Sequence, residues 1–346
     1  MPRIRRDSVL LEYFTAGRKF KDDGETRLPV ITFIHGAGGN ALTWWRVLPA
    51  FTSSTNQACP GMVTPESGLQ DYFAISISIR GFGASTIEGD NPIEHFKASE
   101  HSKDVLAVLD KEGVETTALV GHSYGGFVCI LTATEAPARV SQVVMVSTYF
   151  GLKLPEELQE ESLRQAIQEA SAKRDAKFMD ENLPQIKKLL SMENPLGIPG
   201  YPWEDQKTRL ENGIFMWQKK DPETWSIRMR IHEANHQIHE MELLSANLSV
   251  VMDPIKDLAL DPDSFRQKYS GELHFISCTD DGAVPWEIVS VLAERHRADS
   301  CKILESGLGD HSLMFFSPGV MNKCLREALE SSESIKGDRS SGCPGA

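Results

Sequence analysis

A serine with glycine two residues away on either side, Gly121-His122-Ser123-Tyr124-Gly125, stands between two apolar runs, Thr117 to Val120 and Phe127 to Ala133. A β-type run, a glycine-crowded turn and an unbroken apolar segment read as strand, tight turn and helix. A serine on such a turn takes a strained backbone conformation, and its neighbours must be small for strand and helix to approach each other. Its hydroxyl then projects at a helix N-terminus, where free N–H groups, that of Tyr124 among them, can hold an oxyanion. The chemistry on offer is nucleophilic attack on a carbonyl. A serine hydroxyl is a weak nucleophile, so the attack needs a base within hydrogen-bond reach and a third group that orients the base.

Other stretches supply matching parts. A second apolar strand, Ile31 to Ile34, runs into His35-Gly36-Ala37-Gly38-Gly39, a turn that can present another oxyanion N–H from Ala37. A third, Tyr72 to Ile79, ends at Arg80-Gly81-Phe82-Gly83-Ala84-Ser85. Late in the chain, Asp280 and Asp281 follow the strand Leu273 to Ser277, and His311 sits in the glycine-containing loop 307–312 before the last helix. Taken together, these motifs resemble the α/β-hydrolase family over residues 1–150 and 270–330.

The resemblance implies the chain order serine, acid, histidine, which makes Ser123 the nucleophile and His311 the base. The family's Asp-x-x-x-Pro spacing selects Asp281, four residues before Pro285, and leaves Asp280 as a turn or capping residue. Asp310, beside the histidine, is a weaker rival, and His122 is expected to pack inside the elbow. Where many relatives carry an aspartate before the Arg80-Gly81 turn, this chain has Ser78, a departure that touches a structural turn. Gly38, Trp44, Trp45 and Trp217 are expected to line an apolar substrate pocket, although aromatics on helix faces are more often core.

Positioning these groups requires a mostly parallel α/β-hydrolase sheet flanked by helices, its strands alternating with helical segments. Ser8 to Thr15 suits an edge strand, Lys19 to Arg27 a charged hairpin connection, and Val140 to Ser147 a strand buried on both faces. Helices are expected over 40–51, 95–111, 285–295 and 320–331, and Lys302 to Glu305 adds a strand. From Leu154 to Met252 the spacing is helical on either side of a Pro/Gly-rich break at Asn194 to Trp203, with no convincing strand, which suits an all-α insertion; in the family this is a cap or lid. The expected organisation is core 1–150, cap 151–255, core 256–331 and a disordered Ser/Gly-rich tail 332–346.

The 346-residue chain is 40% hydrophobic and 25% charged, as expected of a globular protein with a sizeable core. Its net charge of −13 argues against nucleic acid or an anionic membrane as the main partner. The six cysteines lack C-x-x-C spacing, and the apolar run after Arg3, Arg5 and Arg6 is too short for a secretory segment. A cytoplasmic location is therefore expected. One rival motif, His232-Glu233-Ala234-Asn235-His236, matches the zinc-binding H-E-x-x-H pattern but shows no evident third ligand; a polar lid face is preferred.

The resulting expectation is cofactor-free hydrolysis of an ester, lactone or thioester of a small apolar molecule. Amide or carbon–carbon hydrolysis and acyl transfer are alternatives with the same residues. A small-molecule receptor that keeps the fold with little turnover is an alternative of another class. Relatives that open epoxides or cleave carbon–halogen bonds use a carboxylate nucleophile, and the serine speaks against both.

Overall fold

A computed structural model describes residues 2–37, 39–44, 46–52, 71–83, 85–88, 98–190, 258–305, 307–308 and 311–339. The described strands are β1 (Arg3–Arg6), β2 (Val9–Ala16), β3 (Val30–Ile34), β4 (Phe73–Ile77), β5 (Thr86–Ile87), β6 (Thr117–His122), β7 (Val140–Val146), β8 (Glu272–Cys278) and β9 (Ser300–Leu304). They form one sheet in the order β1-β2-β4-β3-β6-β7-β8-β9, with β5 paired to β2. Neighbours from β4 to β9 run parallel, whereas β2 is antiparallel to β1, β4 and β5.

Parallel strands need crossover connections, and the helices that supply them cover both faces of the sheet. Described helices are α1 (Ala98–Glu112), α2 (Tyr124–Glu135), α3 (Glu161–Leu190), α4 (Pro262–Lys268), α5 (Trp286–Arg295), α6 (Leu313–Phe316) and α7 (Pro318–Arg339). On one face, Leu119, Val143 and Phe275 of the sheet pack with Val105 and Val108 of α1 and with Phe127 and Val128 of α2. On the other, Val120, Val144 and Ile276 pack with Trp44, Phe51 and the α7 residues Met321 and Leu325. Successive strand residues thus serve opposite cores, as the two-residue period of a strand dictates. Each such side chain taken out of water stabilises the fold by roughly 1.5–3 kcal/mol.

The chain steps from β3 to β4 on one side, while β6 pairs with β3 on the other. The strand order therefore switches direction at β3, and in a sheet of this kind the carboxyl ends at such a switch are where a site is expected. The chain leaves β7 and returns to α4 through two adjacent stems. Leu152 and Leu260 form a parallel bridge, with Lys153 N–H donating to Leu260 O and Leu260 N–H to Gly151 O, each at 2.9 Å. Between these stems α3 is described and residues 191–257 are not.

Three expectations need correction. β2 is an inner strand, because β1, despite three arginines in four residues, pairs along its outer side. Residues 40–51 form two short 3-10 turns, Ala41–Trp44 and Leu48–Phe51, rather than one helix; Pro49 lacks the N–H that a continuous α-helix would use. The tail expected to be disordered begins as helix, since α7 continues to Arg339. Once the buried stretch of α7 has nucleated it, each further residue adds a hydrogen bond at little cost.

Candidate active site

Ser123 occupies the turn between β6 and α2 with φ 51° and ψ −121°. A non-glycine residue at positive φ stores strain that the surroundings must hold in place. Two backbone bonds do so here: Ser123 N–H donates to Val146 O at 3.0 Å, and Ser123 O accepts from Gly126 N–H at 2.9 Å. Close approach explains the glycines. A Cβ on Gly125 would lie 2.3 Å from Ile34 O, and one on Gly121 would lie 2.5 Å from Gly125 O. Ser123 is half-buried at the tip of the elbow. Tyr124 opens α2, its backbone N–H in the first turn and its side chain buried, with the hydroxyl 3.3 Å from His101 Nδ1.

The turn after β3 lies against this elbow. A Cβ on Gly36 would come within 2.9 Å of Ser123 Cβ and 2.8 Å of His122 Nδ1, so only glycine lets the two turns meet. His35 fixes the turn from beneath: its Nε2 accepts from Ile79 N–H at 2.9 Å, which leaves Nδ1 protonated to donate to Gly36 O at 2.7 Å. Ala37, the next residue, is exposed. Ser78, in place of the family's usual aspartate, is wholly buried in the neighbouring structural turn. Its hydroxyl accepts from Ala41 N–H at 2.9 Å and donates to Glu12 Oε2 at 3.1 Å.

Of the two aspartates after β8, the structure brings Asp281 to His311. The imidazole Nδ1 lies 3.1 Å from Oδ1 and 3.0 Å from Oδ2 of a fully buried carboxylate. Asp281 Oδ1 also accepts from the N–H groups of Ala283, at 2.9 Å, and Val284, at 2.8 Å. Burial opposes its ionisation, but the charge and hydrogen bond of His311 and these two N–H groups outweigh it and hold the pKa below the usual carboxylate value. Asp280 faces elsewhere, its Oδ2 accepting from Gly307 N–H at 2.5 Å.

His122 contributes a feature that spacing did not reveal. Its Nε2 donates to the backbone carbonyl of His311 at 2.7 Å, and the two rings lie 4.7 Å apart. Burial, reinforced by the neighbouring His311, depresses its pKa to about 3, so it stays neutral and anchors the His311 loop to the elbow. No sequence signal marks a side chain that bonds to backbone 189 residues away.

The expected pocket residues fare differently. Trp44 is fully buried in the core, 5.0 Å from Phe33 and edge-on to His122 at 6.5 Å, and so belongs to the packing beneath the elbow rather than to a pocket wall. Its indole is simply apolar enough to be worth more in the core. Gly38, Trp45, Trp217, Asp310 and the His232/His236 pair lie outside the described residues. Among the described residues no cluster of His, Cys, Asp and Glu is arranged to hold a metal ion, and no helix is long and apolar enough to cross a membrane. A cavity of about 580 Å³ opens past the end of β7, lined by Tyr149, Phe150, Leu154 and Ile288 on one hand and by Glu161, Arg164 and Gln168 on the other. Another, of about 560 Å³, lies at the amino ends of the strands between Lys19, Arg27, Glu112 and Glu272, remote from Ser123.

Residues 29–192 match the family model described as alpha/beta hydrolase fold. Epoxide hydrolase 4 of Mus musculus is 23% identical over 147 residues, which are 42% of this chain and 33% of that protein. The chain thus spans about a third of that relative's length. Among solved structures, a mutant of the meta-cleavage product hydrolase CumD from Pseudomonas fluorescens IP01, complexed with acetates, superposes with a TM-score of 0.59 at 16% identity. The likeness covers 96% of this chain and 98% of that one. The 2-hydroxy-6-oxo-6-phenylhexa-2,4-dienoate hydrolase BphD from Rhodococcus sp. strain RHA1 gives 0.55 at 19% identity, covering 95% and 97%. With the sheet order, the elbow after β6 and these likenesses in agreement, the chain is an α/β-hydrolase-fold protein.

Proposed function

We propose that the chain is a serine hydrolase acting on an ester, lactone or thioester of a small, apolar molecule. One observation carries the reading: His311 is bonded through Nδ1 to a buried, ionised Asp281 and anchored by His122, the neighbour of the strained Ser123. In this reading His311 takes the Ser123 proton as Oγ bonds to the substrate carbonyl carbon. The negative charge that moves onto the carbonyl oxygen is held by the N–H groups of Ala37 and Tyr124. Collapse of the adduct expels the alcohol or thiol, which takes the proton from His311. Water, deprotonated by the same imidazole, then bonds to the acyl carbon, and the acid is released as the bond to Ser123 Oγ breaks and Oγ takes back the proton. Asp281 holds the imidazole in the tautomer that these transfers require.

A second reading comes from the structural neighbours: a meta-cleavage product, hydrolysed with the same three side chains. The likeness to epoxide hydrolase 4 is weighed against the elbow, where this chain presents a hydroxyl rather than the carboxylate that epoxide opening uses in relatives.

The test is labelling with a fluorophosphonate, which reacts with an activated serine far faster than with an ordinary hydroxyl. One label should appear, on Ser123, together with turnover of short p-nitrophenyl esters. Ser123→Ala should abolish both, and His311→Ala should slow labelling severely. Label on another residue, or none, overturns the nucleophile assignment. Rapid labelling of Ser123 without turnover of any ester, lactone, thioester or meta-cleavage product favours a receptor.

A further inference from the structure

Helix α3 grips the turn on which Asp281 sits. Gln168 Nε2 donates to Gly282 O at 2.6 Å, Ser171 Oγ donates to Asp281 O, and Arg174 Nε donates to Thr279 O at 2.6 Å. The guanidinium also forks onto Glu287 in the first turn of α5, at 2.9 and 3.2 Å. Positions 168, 171 and 174 recur every three residues and so share one face of the helix. Between them they engage three of the four carbonyls from Thr279 to Gly282. A turn at the carboxyl edge of a sheet ordinarily spends such carbonyls on water. Here they are held by side chains from a helix more than 100 residues earlier, and Ser171 is wholly buried in doing so.

Packing alone would not need this arrangement. Ile167 already seats α3 against Leu158, Ile288 and Leu292, an apolar contact that carries no directional information. Directed donors do carry it. The Asp281 carboxylate hangs from the peptide planes of its turn, and on the far side it is fixed by the N–H groups of Ala283 and Val284. Rotating the peptides that Gln168, Ser171 and Arg174 hold would turn the carboxylate relative to His311. A misplacement of about 1 Å in a catalytic constellation is enough to cost on the order of 100-fold in rate.

We infer that Gln168, Ser171 and Arg174 are positioning residues through which α3 aims Asp281 at His311, so that the placement of this helix and the competence of the triad are coupled. The inference rests on the proposed serine-hydrolase reading. It extends that reading by assigning the first helix after the β7 stem a part in the chemistry rather than in covering the site alone.

The experiment compares wild type, Ser171→Ala, Arg174→Ala and Lys177→Ala, each alone and in an Asp281→Asn background. Lys177 is exposed on the same helix, 3.9 Å from Glu181, and serves as the control. The readout is the second-order rate of Ser123 labelling by a fluorophosphonate across pH. Arg174→Ala should lower the plateau by about 10- to 100-fold. Its acid limb should move to lower pH, because an imidazole without an aligned carboxylate protonates less readily. Ser171→Ala, which removes one hydroxyl and little volume, should show the same pattern more weakly, and it carries the test if Arg174→Ala does not fold. Lys177→Ala should match wild type.

In the Asp281→Asn background the Arg174 and Ser171 substitutions should add less than about twofold, since the group they aim is already gone. Equal losses in both backgrounds, an unmoved acid limb, or an equal loss in Lys177→Ala would reduce α3 to ordinary packing and overturn the coupling. A wild type that does not label at Ser123 takes down the hydrolase reading and this one together. Labelling at wild-type rates in every α3 variant sinks the coupling alone.

Discussion

Asp280 and Asp281 are neighbours in the chain with different partners, and the difference sets up a direct test. Asp281 receives His311 Nδ1 on both oxygens, whereas Asp280 receives the backbone of Gly307. In Asp281→Asn the amide can no longer hold the imidazole with its proton on Nδ1, and kcat/KM for a p-nitrophenyl ester is expected to fall on the order of 10³- to 10⁴-fold. Asp280→Asn keeps an oxygen for Gly307 N–H and should stay within about threefold of wild type. A larger loss in Asp280→Asn than in Asp281→Asn would reverse the assignment. The sequence distinguished the two only through the four-residue distance to Pro285, because a motif carries register even when local propensity does not. Nothing comparable pointed to His122, whose partner is a backbone carbonyl contributed by the fold. Trp44 misled for the complementary reason: an aromatic next to a functional turn has the same type whether it faces a ligand or, as here, the core beneath.

At the scale of elements, the junction of β3, β6 and α2 is closely packed, and Gly125 is its narrowest point among the described glycines. A methyl at Gly125 would meet Ile34 O at 2.3 Å and His35 O at 2.6 Å, both backbone atoms that have no rotamer by which to move away. Gly125→Ala must therefore push α2 from β3, and overpacking of this kind costs typically about 1–3 kcal/mol. The same shift moves Ser123 relative to the Gly36 turn, so labelling of Ser123 should slow at least about tenfold in protein that is still folded. Denaturant unfolding and labelling rate, measured on one preparation, check both; wild-type values for both would show that the junction has slack. Strands such as β3, expected over Ile31–Ile34 and observed over Val30–Ile34, were legible because apolar residues dominate wherever both faces are covered. β1 was not, since Arg3, Arg5 and Arg6 hide it. Its charges become comprehensible only once Glu88 lies 2.6 Å from Arg5, and Asp104 2.8 Å from Arg6, across the folded edge. Residues 40–51 carry helical spacing, but Pro49 divides them into separate turns.

At the scale of the whole molecule, two electrostatic effects pull stability in opposite directions as pH falls, and their sizes decide which is seen. With a net charge of −13 and a sequence pI near 5.3, acidification toward pH 5 relieves self-repulsion and by itself would stabilise the fold. Against it stand histidines that burial keeps neutral. Desolvation depresses His101 and His122 to about 3 and His296 to about 4, and it lowers His274 as well, although Glu272 opposes the shift there. A histidine whose folded pKa lies below its unfolded value of about 6.5 takes up a proton only on unfolding, so stability is lost as pH drops through 6.5 toward the folded value. Each such group contributes a slope of about 1.4 kcal/mol per pH unit inside that window, whereas diffuse surface repulsion is screened by salt. Asp281, with its depressed pKa, acts in the same direction only below the ordinary carboxylate range and does not confuse the window. Urea unfolding at about 0.15 M salt should therefore show stability falling between pH 6.5 and 5, steeply enough to imply uptake of about three protons. His296→Asn should reduce that slope by about one proton while leaving the rate of Ser123 labelling at pH 8 unchanged, since His296 caps α5 away from the elbow. Stability that stays flat or rises over the window would mean that these histidines titrate normally in the folded chain, and that net charge governs its response to acid.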